Sequence, residues 1–268
     1  MAITTMAGLT GAIVKKLPWY FNAIGAGEAG TRYYIMNMAT TNLGVFGTPA
    51  AASSGGQAYN QGNGGIGYSV WSDAPSGAQS YITKISSGGT YPGNLFVYDL
   101  LWACSGFSGT VTTPQTITGF TALPTRAGGS GSEIWLVVNS ATSSTAGTVN
   151  ITYTNQSGTS GRTTQTTVVP AALFLGHCIQ LLLQAGDTGV QSIQSLTLNG
   201  VSIGTAALSL FIMNRICCTN VVGIQNCIQD FTNLGLPPIN DSAVIMYVFG
   251  TVQFSTGNIS GEIQISQG

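Results

Sequence analysis

The chain has 268 residues, and only 15 of them are charged, seven Lys or Arg and eight Asp or Glu, which leaves a net charge of −1. The charged share is 6%, against about 25% in a typical domain, while the hydrophobic share of 44% is ordinary. The scattered cations argue against a nucleic-acid partner, and the scattered acids argue against a calcium site. The chain is therefore expected to fold, and its near-neutral surface favours association with other subunits.

The first 30 residues predict an extended N-terminal arm. Gly, Ala and Thr surround one compact apolar cluster, LPWYF, and Pro18 with the glycines that follow it opposes a long helix. Lys15 and Lys16 come after the apolar stretch, which is the reverse of a secretory signal, and no apolar run reaches the length of a membrane helix. The arm is expected to dock on a neighbouring subunit through Leu17, Pro18, Trp19, Tyr20 and Phe21.

Residues 31–268 predict one β-sandwich body of jelly-roll type, with a loop-rich subdivision near 105–132. Short β-branched or aromatic runs alternate with Gly, Pro, Asp and Ser clusters, as in folds with many short strands. The polar stretch 47–67 predicts a long loop, and 220–235 is the one helix candidate, because its apolar residues follow an i, i+3, i+7 spacing. The predicted strands are 31–39, 66–72, 79–86, 94–104, 116–123, 133–140, 149–154, 162–169, 172–183, 190–198, 206–216, 242–254 and 258–266.

The clearest hairpin lies in the middle of the chain. VNITYT (149–154) alternates strictly, with apolar side chains on one face and Asn or Thr on the other. NQSGTSG (155–161) turns the chain, and the Thr-rich segment 162–169 returns. Threonine suits this position because its branched side chain fits the pleat while its hydroxyl faces water or a neighbour.

A second turn follows an apolar segment. ALFLGHCIQLLL (172–183) predicts a buried strand, and QAGDTGV (184–190) predicts a tight turn after it. Gly186 and Gly189 are expected to supply the positive φ angles that such a turn requires.

The residues give no pattern for catalysis, a metal or a cofactor. GAGEAG (25–30) matches a dinucleotide-binding motif, but a β-rich segment follows it instead of a helix, so it is interpreted as a linker. His177 lies in an apolar segment and is expected to be a core or interface histidine. The five cysteines are expected to be reduced, buried, small apolar residues, and neighbouring His177–Cys178 and Cys217–Cys218 point to opposite faces of their strands. The chain is predicted not to be an enzyme.

Four segments carry a resemblance to a known family. Together they resemble a family of tailed-bacteriophage virion structural proteins, over about residues 75–216. The more specific parts are T-Y-T-N-Q-x-G-x-x-G-R-T and Q-A-G-D-T-G-V-x-S-I-x-S-L-T-L. The four segments are FVYDLLWACSG (96–106), TVTTPQTITGFTALPTRAGGSGSEIWLVVNS (110–140), TVNITYTNQSGTSGRTT (148–164) and LLLQAGDTGVQSIQSLTLNG (181–200).

This resemblance implies a β-sandwich subunit of a phage particle, most simply a capsid-decorating or cement protein. It implies a homo-oligomer, with a trimer as the expected form, bound to the phage major capsid protein in a virion that assembles in the bacterial host cytoplasm. No catalytic residue, cofactor, nucleic acid or membrane is implied. The motif positions are expected to define turns and strands of the fold: Tyr153, Asn155, Gly161, Arg162, Gly186, Asp187 and Gly189.

One alternative function stays open. The same body could be a head fibre, spike or other receptor-binding module that recognises carbohydrate on the host surface. Trp71, Trp102 and Trp135 would then form a platform for sugar stacking, although aromatic residues at strand spacing more often belong to the core. Exposure of Trp71 or Trp102 in a groove would favour this alternative.

Overall fold

The computed structural model describes residues 13–23, 32–35, 49–60, 78–90, 92–222, 227–251 and 257–268. In these residues the only α-helix is α1 (Phe231–Leu234), and the prediction of an all-β fold with at most one short helix is confirmed. None of the described helices is long and apolar enough to cross a membrane. In chain order the strands are β1 (Ile13–Ala23), β2 (Arg32–Ile35), β3 (Gln57–Ala58), β4 (Ser80–Gly89), β5 (Gly93–Ser108), β6 (Gln115–Thr116), β7 (Ser132–Val138), β8 (Gly147–Asn155), β9 (Arg162–Thr163), β10 (Thr167–Val169), β11 (His177–Leu181), β12 (Val190–Leu198), β13 (Ala207–Val221), β14 (Cys227–Asp230), β15 (Pro238–Ile239), β16 (Ile245–Thr251) and β17 (Gly257–Gln267).

The described residues divide into two compact units. Unit one draws on three segments, Met1–Gly47, Gln61–Asp99 and Ile216–Gly268, and unit two on Thr48–Asn60 and Leu100–Arg215. The boundary therefore falls inside two long strands, β5 and β13. The sequence prediction instead separates an arm (1–30) from one body (31–268). The observed boundary falls at Asp99 in β5 and at Arg215 in β13, with no turn or loop to mark it.

Unit one is a two-layer β-sandwich. One layer is the antiparallel sheet β1–β17–β4–β14, with β15 beside β4, and the other contains β2, β16 and the first half of β5. Each strand has an apolar side, and the two apolar faces bury each other. The core of this unit contains Leu17, Trp19, Ile82, Ile85, Leu95, Val97, Ile245, Tyr247, Phe249, Ile259, Ile263 and Ile265.

Part of the predicted arm is a strand of this sandwich. β1 pairs along its whole length with β17, from Ile13 opposite Gln267 to Ala23 opposite Gly257. β1 lies at the edge of its sheet, where a proline is tolerated because its missing N–H need not face a partner strand. Pro18 is exposed there, while its neighbours Leu17 and Trp19 are buried in the core of the same unit.

A glycine makes room for the Trp19 indole. Trp19 lies opposite Gly261 in the β1–β17 register, and its ring centroid is 5.7 Å from that of Tyr247. A Cβ atom on Gly261 would lie 2.5 Å from Cζ2 of Trp19 and closer still to the carbonyl oxygen of Ser86. The absence of a side chain at Gly261 is therefore a packing requirement of this sheet.

Unit two is a second two-layer β-sandwich. One layer is the sheet β10–β8–β12–β6, with β9 beside β8, and the other contains β11, β7 and the first part of β13. β8 shows the reason for the packing, because its residues alternate strictly between buried and half-buried, as the sequence predicts. Its buried side chains meet those of the facing layer in a core that includes Ile134, Leu136, Val138, Val149, Ile151, Tyr153, Leu196, Leu198, Leu208, Leu210 and Ile212.

Four predicted elements differ from the structure. The predicted strand 162–169 is divided into β9 and β10. The helix predicted over 220–235 is wrong: Cys227–Asp230 pairs with β4 as a strand, and of this segment's described residues only the four of α1 are helical. The predicted strand 172–183 is confined to β11, because Ala172 and Gly176 have positive φ angles of 56° and 88° that break an extended run. The predicted strand 116–123 ends at Thr116. The strand predicted at 66–72 and the motif 25–30 lie outside the described residues.

Candidate functional site

The turns after β8 and after β11 meet in one cluster of polar side chains in unit two. At its centre is Asp187, whose carboxylate is almost fully buried and accepts bonds from three side chains. Arg162 donates from Nε to Oδ2 at 2.9 Å and from Nη2 to Oδ1 at 3.2 Å. The Tyr153 hydroxyl donates to Oδ2 at 2.5 Å, and Asn155 Nδ2 donates to Oδ1 at 2.8 Å. The Tyr153 hydroxyl also accepts a bond from the backbone N–H of Gln184 at 2.9 Å.

The charges of this cluster stabilise one another. Hydrogen bonding from Arg162, assisted by Tyr153 and Asn155, lowers the pKa of Asp187 to about 2 although its burial acts in the opposite direction. Burial, followed by the bond to Asp187, raises the pKa of Tyr153 to about 12. The bond to Asp187 also raises the pKa of Arg162. At neutral pH the cluster is therefore a carboxylate paired with a guanidinium and a neutral phenol.

Backbone bonds extend the cluster into both turns. Asn155 Oδ1 accepts the N–H groups of Ser157 and Thr159 at 3.1 and 2.9 Å, which closes the turn after β8. Gln156 Oε1 accepts the N–H groups of Thr188 and Gly189 at 3.0 and 3.3 Å, which fastens the second turn to the first. The two turns therefore form a single rigid structure at this end of unit two.

The glycines of the two turns have different roles. Gly161 and Gly186 have φ angles of 72° and 89°, a conformation that disfavours any side chain. The prediction that Gly189 also supplies a positive φ is wrong. Gly189 is needed because the backbone of residues 129–130 passes close to it: a Cβ on Gly189 would lie 2.8 Å from the Cα of Ser130.

The cluster holds structure together and offers little for chemistry. Both oxygens of Asp187 are occupied by donors, and a carboxylate with a pKa near 2 is a weak base. The sequence motifs indicated Tyr153, Asn155, Arg162 and Asp187 as fold-defining positions, and the structure brings these four together. Sequence reasoning missed Gln156, whose side-chain oxygen links the turns.

The outer face of the neighbouring sheet carries hydroxyl and amide groups. On β8 and β12, Ser192 Oγ donates to Thr154 Oγ1 at 3.0 Å, and Gln194 Nε2 donates to the same oxygen at 2.7 Å. Nearby, Asn150 Nδ2 donates to the carbonyl of Thr164 at 3.0 Å. These groups form a neutral polar surface in which side chains on adjacent strands already bond to one another.

The remaining candidate groups are placed as follows. His177 is buried, and its Nδ1 accepts a bond from the backbone N–H of Phe174 at 2.9 Å. The five cysteines are free, and the prediction that all five are buried is correct only for Cys104 and Cys178. Cys217 and Cys227 are half-buried, and Cys218 is exposed. Among the described residues no group of three or more His, Cys, Asp or Glu side chains could hold a metal ion.

The tryptophans that the carbohydrate-binding alternative requires are only partly described. Trp102 is fully buried and stacks on Phe120 with a centroid distance of 4.7 Å, so it cannot stack on a sugar. Trp135 is buried as well, and its Nε1 donates to Glu133 at 3.1 Å. Trp71 lies outside the described residues. The observation on Trp102 therefore counts against that alternative.

The predicted interface cluster, residues 17–21, is partly buried in the protein's own core. Leu17 and Trp19 are buried within unit one, and Pro18 is exposed. The backbone of Tyr20 and Phe21 continues β1, opposite Ser260 and Ile259. Docking of this cluster on a neighbouring subunit stays a prediction.

Comparison with known proteins gives little similarity. No protein-family model and no curated protein matches the chain. A structure of infectious bursal disease virus, Gx strain, aligns with 95% of this chain and 80% of its own at 10% identity and a TM-score of 0.20. The VP2 subviral particle of the same virus aligns with 96% of this chain and 80% of its own at 9% identity and a TM-score of 0.19. Superpositions this poor do not support a functional inference.

Proposed function

We propose that this chain is a structural subunit of a tailed-bacteriophage particle, and that it acts as a capsid decoration or cement protein. One observation carries the proposal. The two segments most specific to the phage family, T-Y-T-N-Q-x-G-x-x-G-R-T and Q-A-G-D-T-G-V, meet around Asp187 and lock each other in place. The two motifs, which are separate in the sequence, therefore form one structural unit. This is expected if the chain has the same fold as the phage subunits that it resembles.

The surface chemistry supports a role in assembly. The chain has 15 charged residues in 268, and the outer face of β8 and β12 presents neutral hydroxyl and amide groups. Contacts made by such groups are less sensitive to ionic strength than ion pairs, because salt screens charges and not neutral dipoles. A protein that reinforces a shell exposed to changing salt concentrations benefits from this property.

The partners in this proposal are further copies of the chain and the phage major capsid protein. Contact with the shell is expected to use exposed surfaces and not Leu17 or Trp19, because these two side chains fill the core of unit one. Deleting residues 1–30 would remove β1 and its core residues as well as any docking function. That deletion therefore cannot test the arm separately from the fold, whereas substitution of the exposed Pro18 can.

Quantitative mass spectrometry of purified particles tests the proposal. The chain should be present in a fixed ratio to the major capsid protein, on the order of hundreds of copies per particle. Its absence from particles would overturn the structural role. A copy number on the order of ten would instead indicate a neck, tail or spike component and would overturn the decoration role.

A binding experiment tests the cement function directly. Purified chain added to particles that lack it should raise the temperature at which the shells disrupt. Binding should persist as NaCl is raised from about 0.05 M to about 1 M, where the Debye length is only about 3 Å and charge interactions are screened. Loss of binding at high salt would show that ion pairs hold the chain on the shell. Shells whose disruption temperature is unchanged by bound chain would contradict the cement role.

A further inference from the structure

The turn that ends β12 carries an asparagine followed by a glycine. Asn199 and Gly200 come directly after Leu198, the last residue of the strand, and both are exposed. The backbone nitrogen of the residue after an asparagine can attack the asparagine side chain, and glycine obstructs this attack least because it has no Cβ. Within the described ranges Asn199 is the only asparagine that a glycine follows.

The reaction at such a pair is deamidation. The nitrogen of Gly200 loses its proton to the solvent and forms a bond to Cγ of Asn199, while the bond from Cγ to Nδ2 breaks. The departing Nδ2 takes up a proton from water and leaves as ammonia, so the product is a five-membered cyclic imide. Water then opens this ring at either carbonyl, which leaves an aspartate or an isoaspartate at position 199.

Two hydrogen bonds hold the reacting groups in other positions in the folded protein. Asn199 Nδ2 donates to Oδ1 of Asn150 on β8. The Gly200 N–H donates to the Leu198 carbonyl at 2.9 Å. Ring closure requires both bonds to break, because Cγ of Asn199 must turn towards the Gly200 nitrogen. The rate in the folded protein therefore depends on how often this turn opens.

The orientation of the Asn150 amide is fixed by a third group. Its Nδ2 donates to the Thr164 carbonyl at 3.0 Å, and a carbonyl can only accept a hydrogen bond. Asn150 must therefore present Oδ1, and not its NH₂ group, to Asn199. This contact links β8 to the turn after β12, beside the bond from the Asn199 N–H to the Thr148 carbonyl at 2.9 Å.

The deamidated product does not fit this contact. A carboxylate at position 199 has no N–H to donate, so its oxygen faces Oδ1 of Asn150. Asn150 cannot reverse its amide without placing the same oxygen against the Thr164 carbonyl. The reaction also adds a negative charge to residues 134–214, where Arg162 and Asp187 are the only charged residues.

We propose that Asn199 is a site of spontaneous deamidation, and that the Asn150 side chain slows the reaction while the protein is folded. The modification removes one link between β8 and the end of β12 and places a charge beside their neutral polar face. The proposal concerns unit two alone and is tested without any particle, so its failure leaves the proposed capsid role untouched.

Peptide mass spectrometry of the purified full chain tests this proposal. Incubation in heavy-oxygen water labels every carboxyl group that forms during the experiment. Asn199 should gain label faster than Asn258, which is also exposed but precedes the β-branched Ile259. The rate at Asn199 should rise with pH, because only the deprotonated nitrogen attacks, and it should rise when the chain is unfolded in urea.

Asn150→Ala tests the restraint. This variant should deamidate at Asn199 about two to ten times faster than the wild type, the change in rate that corresponds to the loss of one hydrogen bond. The rate at Asn258 should not change, which makes that residue the internal control. Circular dichroism confirms that the variant is folded before its rate is compared.

Asn199→Asp tests the effect of the product on the fold. It should lower the melting temperature at pH 7, whereas Asn258→Asp, at an exposed residue of β17, should leave it nearly unchanged. The proposal is overturned if Asn199 in the folded wild type gains no more label than Asn258. The restraint by Asn150 is overturned if neither Asn150→Ala nor unfolding in urea accelerates the reaction, and equal melting temperatures of the two Asp variants would contradict the predicted misfit.

Discussion

Arg162 and Asp187, 25 residues apart in the chain, form a two-pronged ion pair in which Nε and Nη2 of the arginine reach both carboxylate oxygens, at 2.9 and 3.2 Å. They are also the only charged residues between positions 134 and 214. A buried carboxylate would be unfavourable without a cation, and this charge-poor segment offers only Arg162, so the pair helps to determine how the two turns meet.

The stability of unit two should depend on pH through Asp187. Its pKa is about 2 in the folded protein against an ordinary value of 3.8, so its contribution is complete above about pH 4 and is lost as the pH falls towards 2. Asp187→Asn should lower the melting temperature at pH 7, and the difference from the wild type should close between pH 4 and pH 2. Melting curves across this range measure the effect. A difference that stays constant down to pH 2 would contradict the assignment.

The Tyr153 hydroxyl should contribute to the same cluster. Tyr153→Phe leaves the Gln184 N–H without its acceptor and Asp187 without one donor, so the free energy of unfolding should fall by about 1–3 kcal/mol. Chemical denaturation measures this change. Tyr81→Phe, at a half-buried tyrosine of β4, is the control and should change stability by less. Equal effects of the two substitutions would argue against a special role for the Tyr153 hydroxyl.

Gly261 should tolerate no side chain. Gly261→Ala places a methyl group against the Trp19 indole and the Ser86 carbonyl, and overpacking of this kind costs about 1–3 kcal/mol. Ser260→Ala, at the exposed neighbouring position on β17, should be close to neutral. Equilibrium unfolding compares the two, and Trp fluorescence reports whether the indole has moved. A stable Gly261→Ala variant would show that β1 can shift away from β17.

The cysteines should react unequally with a thiol reagent. Burial raises the pKa of Cys104 and of Cys217 to about 12, which leaves few thiolates at pH 8. Cys218 is exposed and should be alkylated first, with adjacent Cys217 as the internal control. Peptide mass spectrometry after brief labelling of the native protein gives the order. Faster labelling of Cys217 or Cys104 would show that their strands open readily.

The sequence predicts strands best where alternation and turn residues agree. The 149–154 prediction falls within β8 because polar and apolar residues alternate there before a glycine-rich turn. The 190–198 prediction matches β12 although its apolar residues are mostly three apart, because register shifts in the strand bring Val190, Ile193 and Leu196 to the buried side. The helix prediction for 220–235 failed because the apolar spacing there fits a helix, whereas pairing with β4 makes Cys227–Asp230 a strand. Long-range pairing partners are not visible in a local pattern.

The Asp187 cluster was predictable only in part. The turns carry Asn, Gly and Asp, and a lone cation and a lone anion in 81 charge-poor residues are a signal that they pair. The contribution of Gln156 depends on how one turn lies on the other, which no short-range rule provides. The exposure of Leu175 could not be predicted either, because the apolar segment 172–183 suggests a buried strand. The positive φ at Ala172, which breaks that strand, has no signal in the sequence.

The pairing of β1 with β17 has a consequence for the order of folding. These strands are more than 230 residues apart, whereas the sheet partners within 100–215 are much closer in sequence. During synthesis on the ribosome, unit two can complete its contacts once Arg215 has emerged, but β1 must wait for Gln267. The nascent polypeptide therefore carries one finished sandwich while the apolar side of β1 is still uncovered, and this interval is when a chaperone is most needed.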